Sequence, residues 1–97
     1  MKVYNKSHND APIGAVSIMR PSIWGNPYAI YRDGNRDEVC DKYREFLHKL
    51  LDVRPDILEQ FTTLMQTADG LLCCCKPKRC HGDEIVAEAI ERGILRA

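Results

Sequence analysis

The sequence predicts an α/β fold: a small single domain spanning residues 1–97, with a short mixed or parallel sheet of about three strands and three packing helices. Three observations carry this expectation. The chain has 97 residues, the size of one domain, and such a chain buries roughly two thirds of its unfolded surface. Two helical stretches separate the last β-type run from the earlier ones, which calls for a crossover and at least one parallel pair. The last run, Leu71 to Cys75, is continuously apolar, as in a strand covered on both faces.

Taken in order, Val3 to Asn5 reads as a short strand and Ser7 to Gly14 as a polar, turn-rich link. Ala15 to Arg20 is β-branched and partly alternating, so it reads as a second strand, which Pro21 stops. Residues 21–35 are irregular, with a turn at Asp33-Gly34. Asn35 can cap a helix, with Glu38 placed for a capping box. Val39, Tyr43, Phe46, Leu47 and Leu50 then recur at helical spacing. Pro55 suits the first position of a second helix, whose buried side is Ile57, Leu58, Phe61, Leu64 and Met65. The third helix starts near His81 to Asp83 and buries Ile85, Val86, Ala89 and Ile90. Gly93 followed by Ile94 fits a Schellman stop.

Composition narrows the function classes. Fourteen basic and fourteen acidic residues give a formal net charge of zero, which argues against an extended nucleic-acid footprint while leaving room for a local phosphate site. The apolar runs are too short to span a bilayer. No apolar leader opens the chain, so a cytoplasmic protein is expected. Of five Cys, four fall between Cys73 and Cys80. That clustering and the odd count favour reduced thiols over a disulfide framework.

Two stretches carry the chemistry. The rear one, CCCKPKRCHGD (Cys73 to Asp83), runs from the last strand into the last helix. Ligands of α/β folds sit beyond the carboxyl ends of the strands, and helix N-termini attract anions. Lys76, Lys78 and Arg79 strengthen a phosphate reading against that of a merely solvated turn. Cys73, Cys75, Cys80 and His81 offer zinc four ligands, although the spacing is not that of a standard knuckle. Cys80 at a helix start, beside His81 and cations, is a candidate nucleophile with a lowered pKa. His81 and Asp83 are candidate acid/base groups. The Cys73-to-Arg79 spacing matches a phosphatase loop only in outline, because Pro77 removes an N–H such a loop needs. The front stretch, RPSIWGNPY (Arg20 to Tyr28), holds the only Trp. There Trp24 either stacks on a ligand or plugs the core, while Gly25, Asn26 and Pro27 shape a turn.

Together these motifs resemble the domain of unknown function numbered 4326, small proteins of phages and bacteria. The family's marks are R-P-S-x-W-G-N-P-aromatic, here Arg20 to Tyr28, and C-x-C-x-P-x-x-C-H-G-D, here Cys73 to Asp83. The helix between them, with Tyr43 to Leu47 as YREFL, fits too. The likeness covers nearly the whole chain. Cys74 stands where the family often has Trp, which puts weight on Cys73, Cys75 and Cys80. Arg79 is often not basic in relatives. The resemblance implies a phage or bacterial origin, with the host cytoplasm as location if phage-encoded, and no established reaction.

Three functions are expected. The first is a nucleotide- or nucleoside-like, phosphate-containing ligand in a composite site. Trp24 would stack, Asn26 read a polar edge, and Arg20, Ser22, Lys76 and the helix start hold phosphate. A hydrolase or transferase would use His81, Asp83 or Cys80. The second is a structural zinc module on Cys73, Cys75, Cys80 and His81, zinc being the one cofactor the residues suggest. The third is a phage protein that binds and inhibits a host protein, with Trp24 and Tyr28 as its hot spot. The first places Trp24 and His81 in one pocket, with Asn26 and Asp83 nearby.

Overall fold

The computed structural model describes residues 1–96, and its helices begin and end where local chemistry asks. Asn35 accepts the Glu38 N–H at 2.9 Å, and the Glu38 carboxylate accepts the Asn35 N–H at 3.0 Å, which closes the capping box of α1 (Arg36–Val53). Pro55 then opens α2 (Pro55–Thr67) in its first turn, where the missing N–H loses no helical bond. The last helix, α3 (His81–Glu91), stops at a Schellman turn. Gly93 takes a φ of 75°, its N–H reaches the Ile90 carbonyl at 3.0 Å, and the Ile94 N–H reaches that of Ala89 at 2.9 Å. No helix among the described residues is long and apolar enough to cross a membrane.

The sheet has three strands, β1 (Val3–Asn5), β2 (Ala15–Ser17) and β3 (Gly70–Cys73). Their order is β1-β3-β2, and both pairs are parallel, with Leu71 opposite Val3 on one side and Val16 on the other. All three carboxyl ends therefore lie at one edge. Two strands are shorter than their composition predicts: β2 stops at Ser17 rather than Arg20, and β3 at Cys73 rather than Cys75. The cause is competition for backbone groups. Beyond β3, the Asn5 side chain donates to the Lys76 carbonyl at 2.7 Å and the Cys74 carbonyl at 3.5 Å. Beyond β2, the Ile18 N–H still reaches Leu72 at 3.1 Å, but its carbonyl is taken by His81.

The helices pack on the sheet face that carries Leu71 and Cys73. One core joins these to Ile18, Tyr43, Leu47, Phe61, Met65 and Ile85. Leu72, on the opposite face, is only half-buried, so β3 is not covered on both sides as its apolar run suggests. The buried stripe of α1 is Val39, Cys40, Tyr43, Leu47 and Leu51. It is rotated from the expected one, and it leaves Phe46 37% exposed and Leu50 half-buried.

The larger departure is on α3. Its buried face includes Glu84 and Glu88, whereas Val86 and Ile90 are half-buried. The Glu88 side chain is 0% exposed. It accepts from Arg44 Nε at 2.8 Å and Arg92 Nε at 2.6 Å, and it lies 2.8 Å from His48 Nδ1. These donors join α1 to α3 through one carboxylate. Burial opposes ionisation of Glu88, and bonds from Arg44, Arg92 and His48 outweigh it, so the carboxyl titrates below its usual range.

Such a group stabilises the fold at pH values above the ordinary carboxylate range and ceases to do so as the pH falls through its own lowered value. Glu88→Gln keeps the shape and removes the charge. Because the two arginines are partly solvated, the expected cost at pH 7 is about 2 kcal/mol. Chemical denaturation at pH 7 and at about pH 3 checks both halves: the variant is less stable at pH 7, and the gap narrows in acid. An equal gap at both values contradicts the assignment.

Candidate functional site

The front and rear stretches meet at the carboxyl edge of the sheet, and α3 is what brings them together. Gly82 makes the approach possible: a Cβ there would fall 2.8 Å from Ile18 Cδ1 and 2.9 Å from Val3 Cγ1. With α3 this close, His81 reaches the front loop. Its Nε2 lies 2.7 Å from the Ile18 carbonyl, and its ring meets that of Tyr43 edge-on at 5.0 Å. The Tyr43 hydroxyl donates to the Trp24 carbonyl at 2.8 Å. Burial lowers the pKa of His81 against the opposing pull of the Ile18 carbonyl, so the ring is neutral at pH 7 and Nε2 carries the donated hydrogen.

His81 and Trp24 are therefore neighbours, as the paired motifs imply, but the contact locks the loop. Trp24 is 6% exposed and packs edge-on against Phe61 at 5.7 Å, so its ring is core and offers no open face for stacking. Truncating a buried Trp costs about 3–5 kcal/mol. The Asn26 side chain donates to the Val39 carbonyl at 3.3 Å and accepts the Tyr28 N–H at 2.9 Å. The Ser22 hydroxyl accepts the Trp24 N–H at 3.2 Å. Tyr28 lies edge-on to Phe46 at 6.3 Å and lines a groove along α1 with Leu50 and Val53. Of the front residues, Arg20 is exposed and has no carboxylate partner among the described residues.

The rear stretch is similarly committed. Asp83 pairs with Lys76 and accepts the Cys80 N–H at 3.1 Å, which makes it the return half of the α3 capping box. It therefore does not orient His81 as a catalytic acid would. Arg79 ties α1 to α3 through Asp41 at 2.8 Å, Asp37 at 3.1 Å and Glu84 at 3.2 Å. Of Lys76, Lys78 and Arg79, only Lys78 is exposed and without a carboxylate partner among the described residues.

The thiols divide by environment. Cys80 is 2% exposed, and burial, with the neighbouring Cys73 thiol, pushes its pKa up to about 12. The expected low-pKa nucleophile at the helix start is thus corrected: the helix end and nearby cations do not offset desolvation. Cys73 is buried beside it, while Cys74 is exposed. Cys75 has left the strand and lies near Arg36, which donates to the Arg79 carbonyl at 3.1 Å. With His81 turned to Ile18, the set Cys73, Cys75, Cys80 and His81 is not gathered round one point. The grouping that does converge, with ligand atoms within 4.8 Å of one another, is His48, Glu88 and Glu91. There the arginines at Glu88 already saturate the carboxylate a cation would need.

Between the turn that precedes α1 and the rear loop lies a cavity of about 400 Å³, lined by Ile30, Tyr31, Gly34, Asn35, Arg36 and Lys78. It combines two cations, the N-terminus of α1 and an exposed Tyr. Neither Trp24 nor His81, the pair expected to share a pocket, lines it. A groove of about 630 Å³ between α1 and α3 is lined by Arg44, His48, Asp52, Glu88 and Glu91, whose charges largely neutralise one another in ion pairs.

Two measurements check these environments. His81→Ala leaves the Ile18 carbonyl unpaired, with an expected loss of about 1–3 kcal/mol. Because the folded state holds His81 neutral, its contribution is full above the ordinary histidine pKa, roughly 6.5, and declines as the pH drops toward the folded value. The difference between the two proteins should shrink from pH 8 to pH 5. Alkylation of the native protein, followed by mass spectrometry, should label Cys74 first and Cys40, Cys73 and Cys80 only on unfolding. Early labelling of Cys80 would contradict its burial.

No curated protein matches the chain, and no solved structure matches it. A family model, the domain of unknown function DUF4326, matches residues 2–91. That span holds both motifs and every element of the fold, and the chain belongs to the DUF4326 family.

Proposed function

We propose that the chain binds a small phosphate-bearing ligand, nucleotide- or nucleoside-like, in the cavity between the loops that follow β2 and β3. The observation that carries this reading is the cavity's lining: Arg36 and Lys78 on one pocket of about 400 Å³ at the N-terminus of α1. Its size falls within the usual range for small ligands, roughly 300–1,000 Å³. Its place is where α/β folds put ligands. The positive charge comes from these two side chains, since the N-terminus of α1 is already closed by the Asn35–Glu38 capping box. Lys78 is free to take a phosphate without breaking an ion pair among the described residues.

The same reading favours binding over catalysis. A hydrolase or transferase needs a free acid, base or nucleophile at the ligand. His81, Asp83 and Cys80 are each held in structural contacts, and none lines the cavity. Arg20, Ser22, Trp24, Asn26 and Lys76 lie outside the lining as well; Ser22, Trp24, Asn26 and Lys76 hold the loops in place.

Thermal unfolding with inorganic phosphate, nucleosides, nucleotides and dinucleotides tests the proposal. A ligand at a hundred times its Kd adds about 2.7 kcal/mol. Lys78→Ala, at an exposed position, should leave the free protein's melting unchanged and weaken binding about tenfold. A panel in which no phosphate-bearing compound raises melting, or a shift that survives Lys78→Ala and Arg36→Ala undiminished, would count against it.

A further inference from the structure

Tyr31 differs from the other aromatics of the chain. Its side chain is 99% exposed, whereas Trp24 and Tyr43 are buried and Tyr4 and Tyr28 half-buried. Its φ is 75°, in the left-handed region that a bulky L-residue rarely occupies. Among the described residues no other ring packs against it. Folding alone does not account for an aromatic side chain in an unfavourable backbone state with so little buried area.

The turn that carries Tyr31 is nonetheless closely tied. The Tyr31 N–H donates to the Gly34 carbonyl at 2.9 Å, and the Asp33 N–H to that of Ala29 at 2.8 Å. The Asp33 carboxylate accepts the Ala29 N–H at 2.8 Å and Arg32 Nε at 2.9 Å, and Arg32 Nη2 donates to the Pro27 carbonyl at 2.8 Å. The Ala29 N–H, with Arg32, holds the Asp33 carboxyl below its usual range. The backbone of the turn is thus fixed, and the ring it carries, without a packing partner, stands open to a ligand. Strained residues of this kind gather at ligand clamps. Tyr31 also lines the cavity that holds Arg36 and Lys78.

We infer that Tyr31 is the specificity residue of this site, stacking on the planar ring of a nucleobase while Arg36 and Lys78 hold the phosphate. The inference rests on the phosphate-bearing ligand proposed above and narrows it to one with an aromatic base. Ring-on-ring stacking is tolerant of base identity, because every base has a π face. The assignment takes the stacking role from Trp24, whose ring is in the core.

The test compares the unaltered protein with Tyr31→Gly and Tyr31→Phe. Glycine accepts the left-handed φ, so the first variant relieves strain and keeps the fold. Calorimetric titrations use the adenosine, guanosine, cytidine and uridine monophosphates, with ribose 5-phosphate as the baseless control. The unaltered protein should bind at least one nucleotide about tenfold more tightly than ribose 5-phosphate. Tyr31→Gly should abolish that advantage while leaving ribose 5-phosphate affinity unchanged, and Tyr31→Phe should retain it. A nucleotide advantage that survives Tyr31→Gly, or nucleotides no tighter than ribose 5-phosphate, overturns the role of Tyr31 and leaves the phosphate site standing. Binding of none of these probes to the unaltered protein overturns the inference and the phosphate site together.

Discussion

The contact on which the site depends is the one between His81 and the Ile18 carbonyl. β2 ends at Ser17, and the chain then leaves the sheet with a carbonyl that no strand satisfies. The first residue of α3 satisfies it. That is possible because Gly82 carries no Cβ and lets the helix start lie against Ile18 and Val3. Tyr43 completes the arrangement from α1, with its ring on His81 and its hydroxyl on the Trp24 carbonyl. One imidazole thus ties the end of β2, the front loop, α1 and α3 into one piece. A half-buried neutral donor suits this task better than a charged one, because desolvation disfavours the imidazolium.

With the loops held in this way, most of the conspicuous polar residues serve the fold. Asp83 caps α3 and holds Lys76. Asn5 and Asn26 satisfy backbone carbonyls in irregular segments. Arg79 and Glu88 join α1 to α3 at two levels. A small domain has little apolar surface to bury, and such polar ties give its irregular loops definite positions at a cost in desolvation. Among the described residues, Lys78 and Tyr31 stand outside these ties, and with Arg36, which also donates to the Arg79 carbonyl at 3.1 Å, they border one cavity. Function is more readily sought among groups that the fold does not use.

The helices were legible because their signals are local. Asn35 with Glu38, Pro55, and Gly93 with Ile94 each act within a turn or two, so neighbouring residues suffice to read them. The residues that line the cavity were not legible. Tyr31 is an ordinary loop residue in one dimension, and its exposure and φ exist only in the folded turn. Lys78 is one cation of three until Asp83 takes Lys76 and the acids of α1 take Arg79. Cys80 was misread for a related reason: its neighbours in sequence are cationic, but its neighbours in space are apolar side chains and the Cys73 thiol. Glu88 was missed because a carboxylate on a helix ordinarily marks the solvent face. Its three donors come from Arg44 and His48 on α1 and from Arg92 just past α3.

By itself, the sequence determined the fold class, the helix boundaries and the family, since periodicity, caps and two long motifs are properties of the linear chain. It also determined that the front and rear stretches belong together. The tertiary structure decided which of their side chains are structural and which stand open. That division depends on burial and on partners supplied by remote segments: Phe61 covers Trp24, Ile18 engages His81, and α1 neutralises Arg79. A residue's availability for binding is set by what other parts of the chain leave free, and no local pattern encodes it.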